Sequence, residues 1–276
     1  MSACIGAVTA PRLHVMSFNV RRSLDGLAWR RADRWRTRRV LVAELLRTER
    51  PTVLGVQEAL PDQAAAIHAA LGPAYRMLGR GRGRRGRGEG TPLFYDAERL
   101  QLRRGDQVAL SARPDRAGSR SFGNLIPRIA VTASFEDLET GGRLLVVNTH
   151  LDPFSPRSRM RSAGVLLALV EAGGLPAVVL GDMNARARSA TMRAFLDGGA
   201  LRDAWRAAER HAGPEWGMHP RYRSPSAGGA RIDWILTTPG IRVTDAAINA
   251  TTVGGAWPSD HLPVQTVLRL PAGDAS

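Results

Sequence analysis

No lysine occurs in this sequence; all 39 of its basic Lys+Arg residues are arginine. The formal net charge of +14 would by itself suggest a polyanionic partner such as a nucleic acid. The arginine-only bias, beside 29 glycines and abundant alanine, reads equally as coding-sequence composition, so the charge bears on association and not on chemistry. Cysteine is almost as scarce. Cys4 stands alone, which excludes an intrachain disulfide and a thiolate metal cluster and leaves a free thiol on a first segment expected to fray. No apolar run is long enough to span a membrane. The opening MSACIGAVTAPRLHV lacks a basic stretch, a sustained hydrophobic stretch and a cleavage site, so a cytoplasmic location is expected. Repeats of fixed period and interdomain linkers are also missing, and one domain over residues 1–276, with a core of about 12–270, is the expectation.

What is present is a large apolar fraction, 43% of the chain, arranged in short runs. Strand-length runs bounded by breakers lie at Leu13–Phe18, Val53–Val56, Leu93–Tyr95, Ile129–Phe135, Leu144–Asn148, Ala177–Leu180, Ile232–Leu236 and Val264–Leu270. Apolar residues at helical spacing fill Arg36–Arg50, Gln63–Leu71, Ser158–Glu171 and Thr191–Leu196. The second pair of β-like runs around Glu139-Thr140-Gly141-Gly142 resembles an antiparallel hairpin. Strands and helices therefore mix, as in a mixed-sheet α/β protein and not in a strictly alternating parallel one. The stretch from Gly79 to Gly88 alternates glycine with arginine. Its backbone entropy and like charge predict a mobile loop, either simply solvated or a phosphate-gripping arm.

Six motifs, most of them an apolar run leading to an acid, amide or histidine, recur in order. They are Met16-Ser17-Phe18-Asn19-Val20, Gly55-Val56-Gln57-Glu58, Val146-Val147-Asn148-Thr149-His150, Val178-Val179-Leu180-Gly181-Asp182-Met183-Asn184, Arg231-Ile232-Asp233-Trp234-Ile235 and Ser259-Asp260-His261-Leu262-Pro263-Val264. Strand ends of α/β proteins are where such polar side chains gather into sites. Glu58, with Asn19 and Asp260, offers the oxygen atoms that a hard cation such as Mg²⁺ prefers. Asp182 and Asn184, two apart after a strand, would share one side if the chain stays extended, an Asp for the proton of water and an Asn for the water or a phosphoryl oxygen. Gly-Asp-x-Asn is also an ordinary turn sequence. Asp233 within an apolar strand is costly unless paired, and His261 is the natural partner, its tautomer fixed by the carboxylate. His150 is a second histidine in a similar setting, and two positively polarised groups beside a phosphate would stabilise its developing charge.

The ordered set resembles the endonuclease/exonuclease/phosphatase superfamily typified by pancreatic DNase I, over nearly the whole chain from Met16 to Val264. The resemblance implies a four-layer αββα sandwich with two mixed β-sheets and metal-dependent phosphoester hydrolysis at one end of them. It implies Asn19 and Glu58 as metal-site residues holding Mg²⁺ or Mn²⁺, with Asp260 a further ligand or the orienter of a histidine. Asp182 would act on the attacking water, Asn184 on the phosphate, Asp233 on His261, and His150 would be the second histidine. Glu89 matches, more loosely, a glutamate that supports this histidine. Arg21 stands where the abasic-site endonuclease branch carries an acid, which departs from that branch. The stretches Gly118–Asn124 with Pro127-Arg128-Ile129, and Trp216-Gly217-Met218-His219, are similar to a little-characterised bacterial branch. Asn124, Arg128, His219 and Glu89 are accordingly candidate substrate contacts.

The expected function is a metal-dependent phosphodiesterase or nuclease, with a phosphoester and, from the charge and the aromatic Trp257 near Asp260, a nucleic acid as partner. The alternative is a phosphatase or phosphodiesterase for a small phosphoester, a phosphoinositide or a lipid headgroup. No amphipathic membrane helix is evident, which weakens the lipid version. A non-catalytic binding protein on the same scaffold is the third reading, and the complete polar set argues against it.

Overall fold

A computed structural model describes residues 2–26 and 30–271. In chain order the elements are β1 (Arg12–Asn19), α1 (Trp35–Glu49), β2 (Val53–Gln57), α2 (Pro61–Leu71), β3 (Tyr75–Leu78), β4 (Leu93–Asp96), β5 (Leu100–Ala109), β6 (Ile129–Asp137), β7 (Arg143–His150), α3 (Pro156–Gly173), β8 (Ala177–Asp182), α4 (Ala190–Leu196), β9 (Arg202–Asp203), α5 (Ala204–Ala207), β10 (Arg210–His211), β11 (Asp233–Thr237), β12 (Arg242–Ile248) and β13 (Val264–Arg269). They form a seven-stranded sheet in the order β10-β12-β13-β1-β2-β4-β3 and a six-stranded sheet in the order β5-β6-β7-β8-β11-β9. Both sheets are mixed: β1–β2 and β7–β8 run parallel, and most other neighbours antiparallel.

Three apolar clusters account for the layering. One lies between the sheets, with Leu13, Val15, Val146, Leu180 and Ile235 in it. A second joins the outer face of β7, β8 and β11 to α3 and α4 through Leu166, Phe195 and Trp234. The third joins β1, β2 and β4 to α1 and α2 through Phe18, Leu45 and Ile67. Four layers result, helices outside and sheets within. The central strands are covered on both faces, so they read as unbroken apolar runs: β2 and β8 are buried at every residue. The helices start where local chemistry allows, α3 with Ser155 accepting from Ser158 N and Pro156 in its first turn, and α4 with Ser189 accepting from Met192 N. Gly55 lets the sheets approach, since a Cβ there would lie 2.0 Å from Leu180 Cδ1. Gly181, at φ +140°, would put one 1.9 Å from the Thr149 carbonyl oxygen.

Two expectations are corrected here. The 79–88 segment is folded, not loose. Gly81 N donates to Gly86 O (3.1 Å), Arg82 N to Glu89 O (2.7 Å) and Gly83 N to Arg87 O (2.9 Å), while Arg82 Nη2 meets Glu89 at 2.6 Å. An acid at the foot of the segment offsets the repulsion that the sequence suggested. The first segment is likewise tied down: the backbone N–H groups of Cys4, Ile5 and Gly6 all donate to the Glu49 carboxylate. None of the described helices is long and apolar enough to cross a membrane.

Candidate active site

Strand register builds the site. On the parallel pair β7–β8, His150 stands opposite Asp182; on the antiparallel pair β8–β11, Asp233 stands opposite the same Asp182. At one edge of the sheet β7 and β8 therefore end in His150 and Asp182, level with Asp233 where β11 begins. From the facing sheet, β1 and β2 end in Asn19 and Gln57, and the loop before β13 supplies Asp260 and His261. Asn148 and Gln57 lock the sheets together at this level, Gln57 Nε2 donating to Asn148 Oδ1 (2.8 Å) and Asn148 Nδ2 to the carbonyls of Val56, Thr91 and Pro92. Backbone strain gathers at the same strand ends: Arg21, Glu58 and Asn184 have φ of +55°, +63° and +46°. Non-glycine residues hold this conformation only where surrounding contacts fix it.

Asp182 is the hub. Its Oδ2 accepts from Asn19 Nδ2 at 3.1 Å and lies 3.7 Å from His150 Nε2 and 4.0 Å from His261 Nε2. Its Oδ1 accepts the Asn184 N–H at 2.9 Å. The extended chain thus ends at Asp182, and the Asp–Asn spacing makes a turn, not two side chains on one strand face. Asn184 Nδ2 donates to Leu151 O (3.0 Å), which leaves its second amide hydrogen available. His261 Nδ1 is 2.9 Å from Asp233 Oδ2. Burial would lower the His261 pKa, but the Asp233 carboxylate, with Asp182 and Asp260, raises it to about 10. Burial and the charge of Asp233 raise Asp182 to about 7, against the opposing pull of His261 and two hydrogen bonds. His150 is held well below its ordinary value by burial and by Arg128, Arg82 and His261, so it is neutral beside a charged neighbour.

Asp260 meets His219 (Nε2 to Oδ2, 3.3 Å) and Arg21 (3.6 Å). Burial notwithstanding, the His219 bond and the charges of His261 and Arg21 hold it at about 2. His219 stacks on His261 with ring centroids 4.4 Å apart. Glu58 accepts from Asn19 Nδ2 at 3.1 Å and from Arg22 N at 3.1 Å. The Asn19 oxygen accepts the Arg21 N–H (3.0 Å), so Asn19 presents its nitrogen, not its oxygen, to Glu58 and Asp182.

Among the described residues, two groups of acid and histidine atoms lie close enough to share a cation: His219 with Asp260 and His261, and Asp182 with Asp233 and His261. The hard oxygen donors of Glu58, Asp260 and Asp182 suit a divalent cation of the Mg²⁺ type, and Glu58 and Asp182 each accept from the Asn19 amide and one backbone N–H, which leaves carboxylate lone pairs to spare.

Glu89 binds Arg22 Nη1 (3.1 Å) and Arg82 Nη2 (2.6 Å), and Arg82 in turn acts electrostatically on His150. Arg128 is 3% exposed and reaches Asp152 at 3.5 Å, and its Nε and Nη1 have no hydrogen-bond partner. Both side-chain amide atoms of Asn124 are likewise buried and unpartnered. Sequence reasoning missed Arg82, indistinguishable within a Gly-Arg alternation, and Asp152. An acid two residues after His150 was the available signal for Asp152.

The facing mixed sheets, their outer helices and the acid–histidine row at one end define a DNase I-like protein. The chain belongs to the Endonuclease/Exonuclease/phosphatase family, whose model matches residues 16–261. Members are phosphoester hydrolases, typically dependent on divalent metal. A family protein from Bacteroides vulgatus is 28% identical, with 94% of this chain and 99% of that one covered and a TM-score of 0.87. A protein of Bacteroides thetaiotaomicron described as mannosyl-6-phosphatase Bt3783 is 26% identical over 93% of this chain and 99% of its own, with a TM-score of 0.85. The human Nocturnin catalytic domain, 19% identical over 95% of this chain and 96% of its own, shares the fold at a TM-score of 0.72. No curated protein sequence matches the chain.

Proposed function

We propose that this chain acts as a single-domain, divalent-cation-dependent phosphodiesterase in which water attacks phosphorus in line with the departing oxygen. The observation that supports it most is the position of Asp182, a carboxyl held at about 7 between His150 and the Asp233–His261 pair. A group of that pKa can take a proton from water near neutrality. Protonated His261, its ring held by Asp233, stabilises charge on the phosphoryl oxygens, and the free amide hydrogen of Asn184 reaches the same group. Neutral His150, whose Nε2 lies near the same Asp182 oxygen as that of His261, offers a second hydrogen-bonding group. Glu58, oriented by Asn19, and Asp260 would hold Mg²⁺ or Mn²⁺, which when bound would neutralise charge developing on the phosphate. The cell compartment we propose is the cytoplasm.

A second reading, a phosphatase for a small phosphomonoester, is favoured by the mannosyl-6-phosphatase relative and by Arg128, whose buried guanidinium pairs with Asp152 at 3.5 Å, acts electrostatically on His150 and keeps an Nη1 without a hydrogen bond that would suit a dianion. The deciding experiment is hydrolysis by the purified protein of bis-p-nitrophenyl phosphate, p-nitrophenyl phosphate, single- and double-stranded DNA and RNA, each with Mg²⁺, Mn²⁺ or EDTA. Cation-dependent cleavage of the diesters supports the proposal, and cleavage of the monoester alone moves the assignment to the second reading. Failure to hydrolyse any phosphoester in any cation would reject both.

A further inference from the structure

His219 belongs to two places at once. It stacks on His261 and bonds Asp260, and it also lines a pocket of about 470 Å³ together with Arg186, Arg221, Arg223, Ser224 and Ser226. The backbone joins this pocket to the site as well. Arg186 follows Asn184 by two residues, and Ile232, another lining residue, precedes Asp233 and accepts from Met183 N at 2.9 Å. Arg221 N donates to the Asp260 carbonyl at 3.2 Å. The pocket walls are therefore continuations of the segments that carry Asp182, Asp233 and Asp260.

Those walls are held in place by their own contacts. A Cβ on Gly229 would lie 2.7 Å from Gly217 Cα, so the two segments meet backbone to backbone, and Gly217 N donates to Ser226 O at 2.9 Å. Arg221 and Tyr222 are consecutive left-handed residues, with φ of +54° and +62°. The Arg221 bond to Asp260, Arg223 N donating to Pro220 O (3.2 Å) and Tyr222 Oη donating to Asp33 Oδ1 (3.2 Å) keep them there. Non-glycine residues persist in this conformation only where contacts over-determine it. The arginines thus project from a set backbone.

Three guanidinium groups line the pocket and no acid does. None of the three forms an ion pair among the described residues, and the acids of this corner are engaged elsewhere: Asp33 with Arg21 and Tyr222, Asp260 with Arg21 and His219. Like charges gathered without a counterion are relieved by an anion, and the guanidinium fork suits carboxylate and phosphate alike. No phenylalanine, tyrosine or tryptophan lines the pocket, so it offers no stacking face for a base. Its volume falls in the lower part of the roughly 300–1,000 Å³ usual for small-ligand sites, enough for one substituted ring.

We infer that this pocket is a subsite for a second anionic group, a phosphate or a carboxylate, carried on one ester arm of a small phosphoester whose phosphorus is attacked at Asp182. The inference rests on the phosphodiesterase reading above and adds what the substrate carries beyond the ester itself. Arg186, Arg221 and Arg223 then decide which ester binds and take no part in breaking the bond.

The test uses the full chain with Mg²⁺ and three symmetric diesters, bis(4-phosphonophenyl), bis(4-carboxyphenyl) and bis(4-carbamoylphenyl) phosphate. Symmetry places the same group on the leaving and the retained arm, and the carbamoyl arms are neutral with the shape of the carboxyl ones. The readout is kcat/KM of each charged diester divided by that of the carbamoyl diester, a ratio in which any general loss cancels. Arg186→Gln/Arg223→Gln is expected to lower the ratio about tenfold, through KM, as the loss of hydrogen bonds to a charged group does. Arg186→Lys/Arg223→Lys keeps most of it, because the charge remains. Arg188→Gln, at an exposed arginine outside the lining, leaves the ratio at the wild-type value. The charged diester with the larger drop identifies the group as phosphate or carboxylate.

A ratio unchanged in the glutamine variant, or lowered as much by Arg188→Gln, overturns the subsite; cleavage of the carbamoyl diester in the same assay leaves the phosphodiesterase reading standing. If no diester is cleaved, calorimetric binding of bis(4-phosphonophenyl) phosphate in EDTA decides. Binding that weakens about tenfold in the glutamine variant keeps the subsite while the phosphodiesterase reading fails. Binding equal in both proteins, or absent from both, overturns the two together.

Discussion

Two carboxylates are buried in this protein and meet opposite fates. Glu49, fully buried at the end of α1, accepts from the backbone N–H groups of Cys4, Ile5 and Gly6 and from the side chains of Asn249 and Gln265. Burial pushes its pKa up, but those donors bring it below the ordinary value. Asp182 has two donors, the Asn184 N–H and the Asn19 amide, and faces Asp233; burial and that second acid raise it to about 7. Five donors on one side, and two donors with a facing acid on the other, separate a carboxylate that ties elements together from one kept ready to exchange a proton. The first joins the start of the chain to α1 and β13. The second sits where β7 and β8 end and β11 begins.

The comparison can be broken from either side. His261→Ala is expected to lower kcat on bis-p-nitrophenyl phosphate by about 10²–10⁴-fold, the loss of a positioned acid–base group; a rate near wild type would remove His261 from the chemistry. Asp233→Asn has a smaller effect, about a hundredfold in kcat/KM, and both limbs of the pH–rate profile move to lower pH. Asp233 raises both the histidine and Asp182, so its loss lets both titrate earlier. An unmoved profile would show that the pairing does not set these values.

On the other side, Glu49→Ala leaves buried donors without an acceptor and is expected to cost about 3 kcal/mol in urea unfolding. Turnover of the folded enzyme is unchanged. Loss of activity without loss of stability would contradict the structural role. The smallest effect is a pH dependence. His14 is buried, and burial lowers its pKa from 6.5 to about 4 despite the nearby Glu49 charge and the Gly6 carbonyl. As the pH falls through 6.5 the unfolded chain takes up a proton that the folded one refuses, so stability declines between 6.5 and about 4. His14→Gln flattens the melting temperature across that window, and an equally steep decline in the variant would place the cause elsewhere.

The sequence was legible where strands are covered on both faces. All eight apolar runs lie in or largely within strands of the two sheets, and the four helical stretches match α1 to α4 within a few residues. It was silent on β5, whose middle reads Arg103-Arg104-Gly105-Asp106, and on β3. Both are edge strands, where backbone pairing on one side suffices and charge is tolerated. The strand β12 carries Asp245 and a bulge between Val243 and Asp245, which breaks the alternation that a reader would count. At the site, the residue types were visible because each motif ends a buried run. Their pairing was less so: Asp260 with His219, Glu89 with Arg22 and Arg82, and the turn at Asn184 depend on loops whose conformations come from tertiary contacts.

The most direct measurement sets Asp182→Asn beside the wild type, reading turnover of bis-p-nitrophenyl phosphate with Mg²⁺ and thermal melting on the same preparations. The account predicts turnover lower by at least about 10²-fold with a melting temperature equal to or above that of the wild type, because a carboxylate with a raised pKa costs stability at neutral pH. Wild-type turnover in the variant, or a melting temperature that collapses with it, would contradict the assignment of Asp182 as the proton-accepting centre.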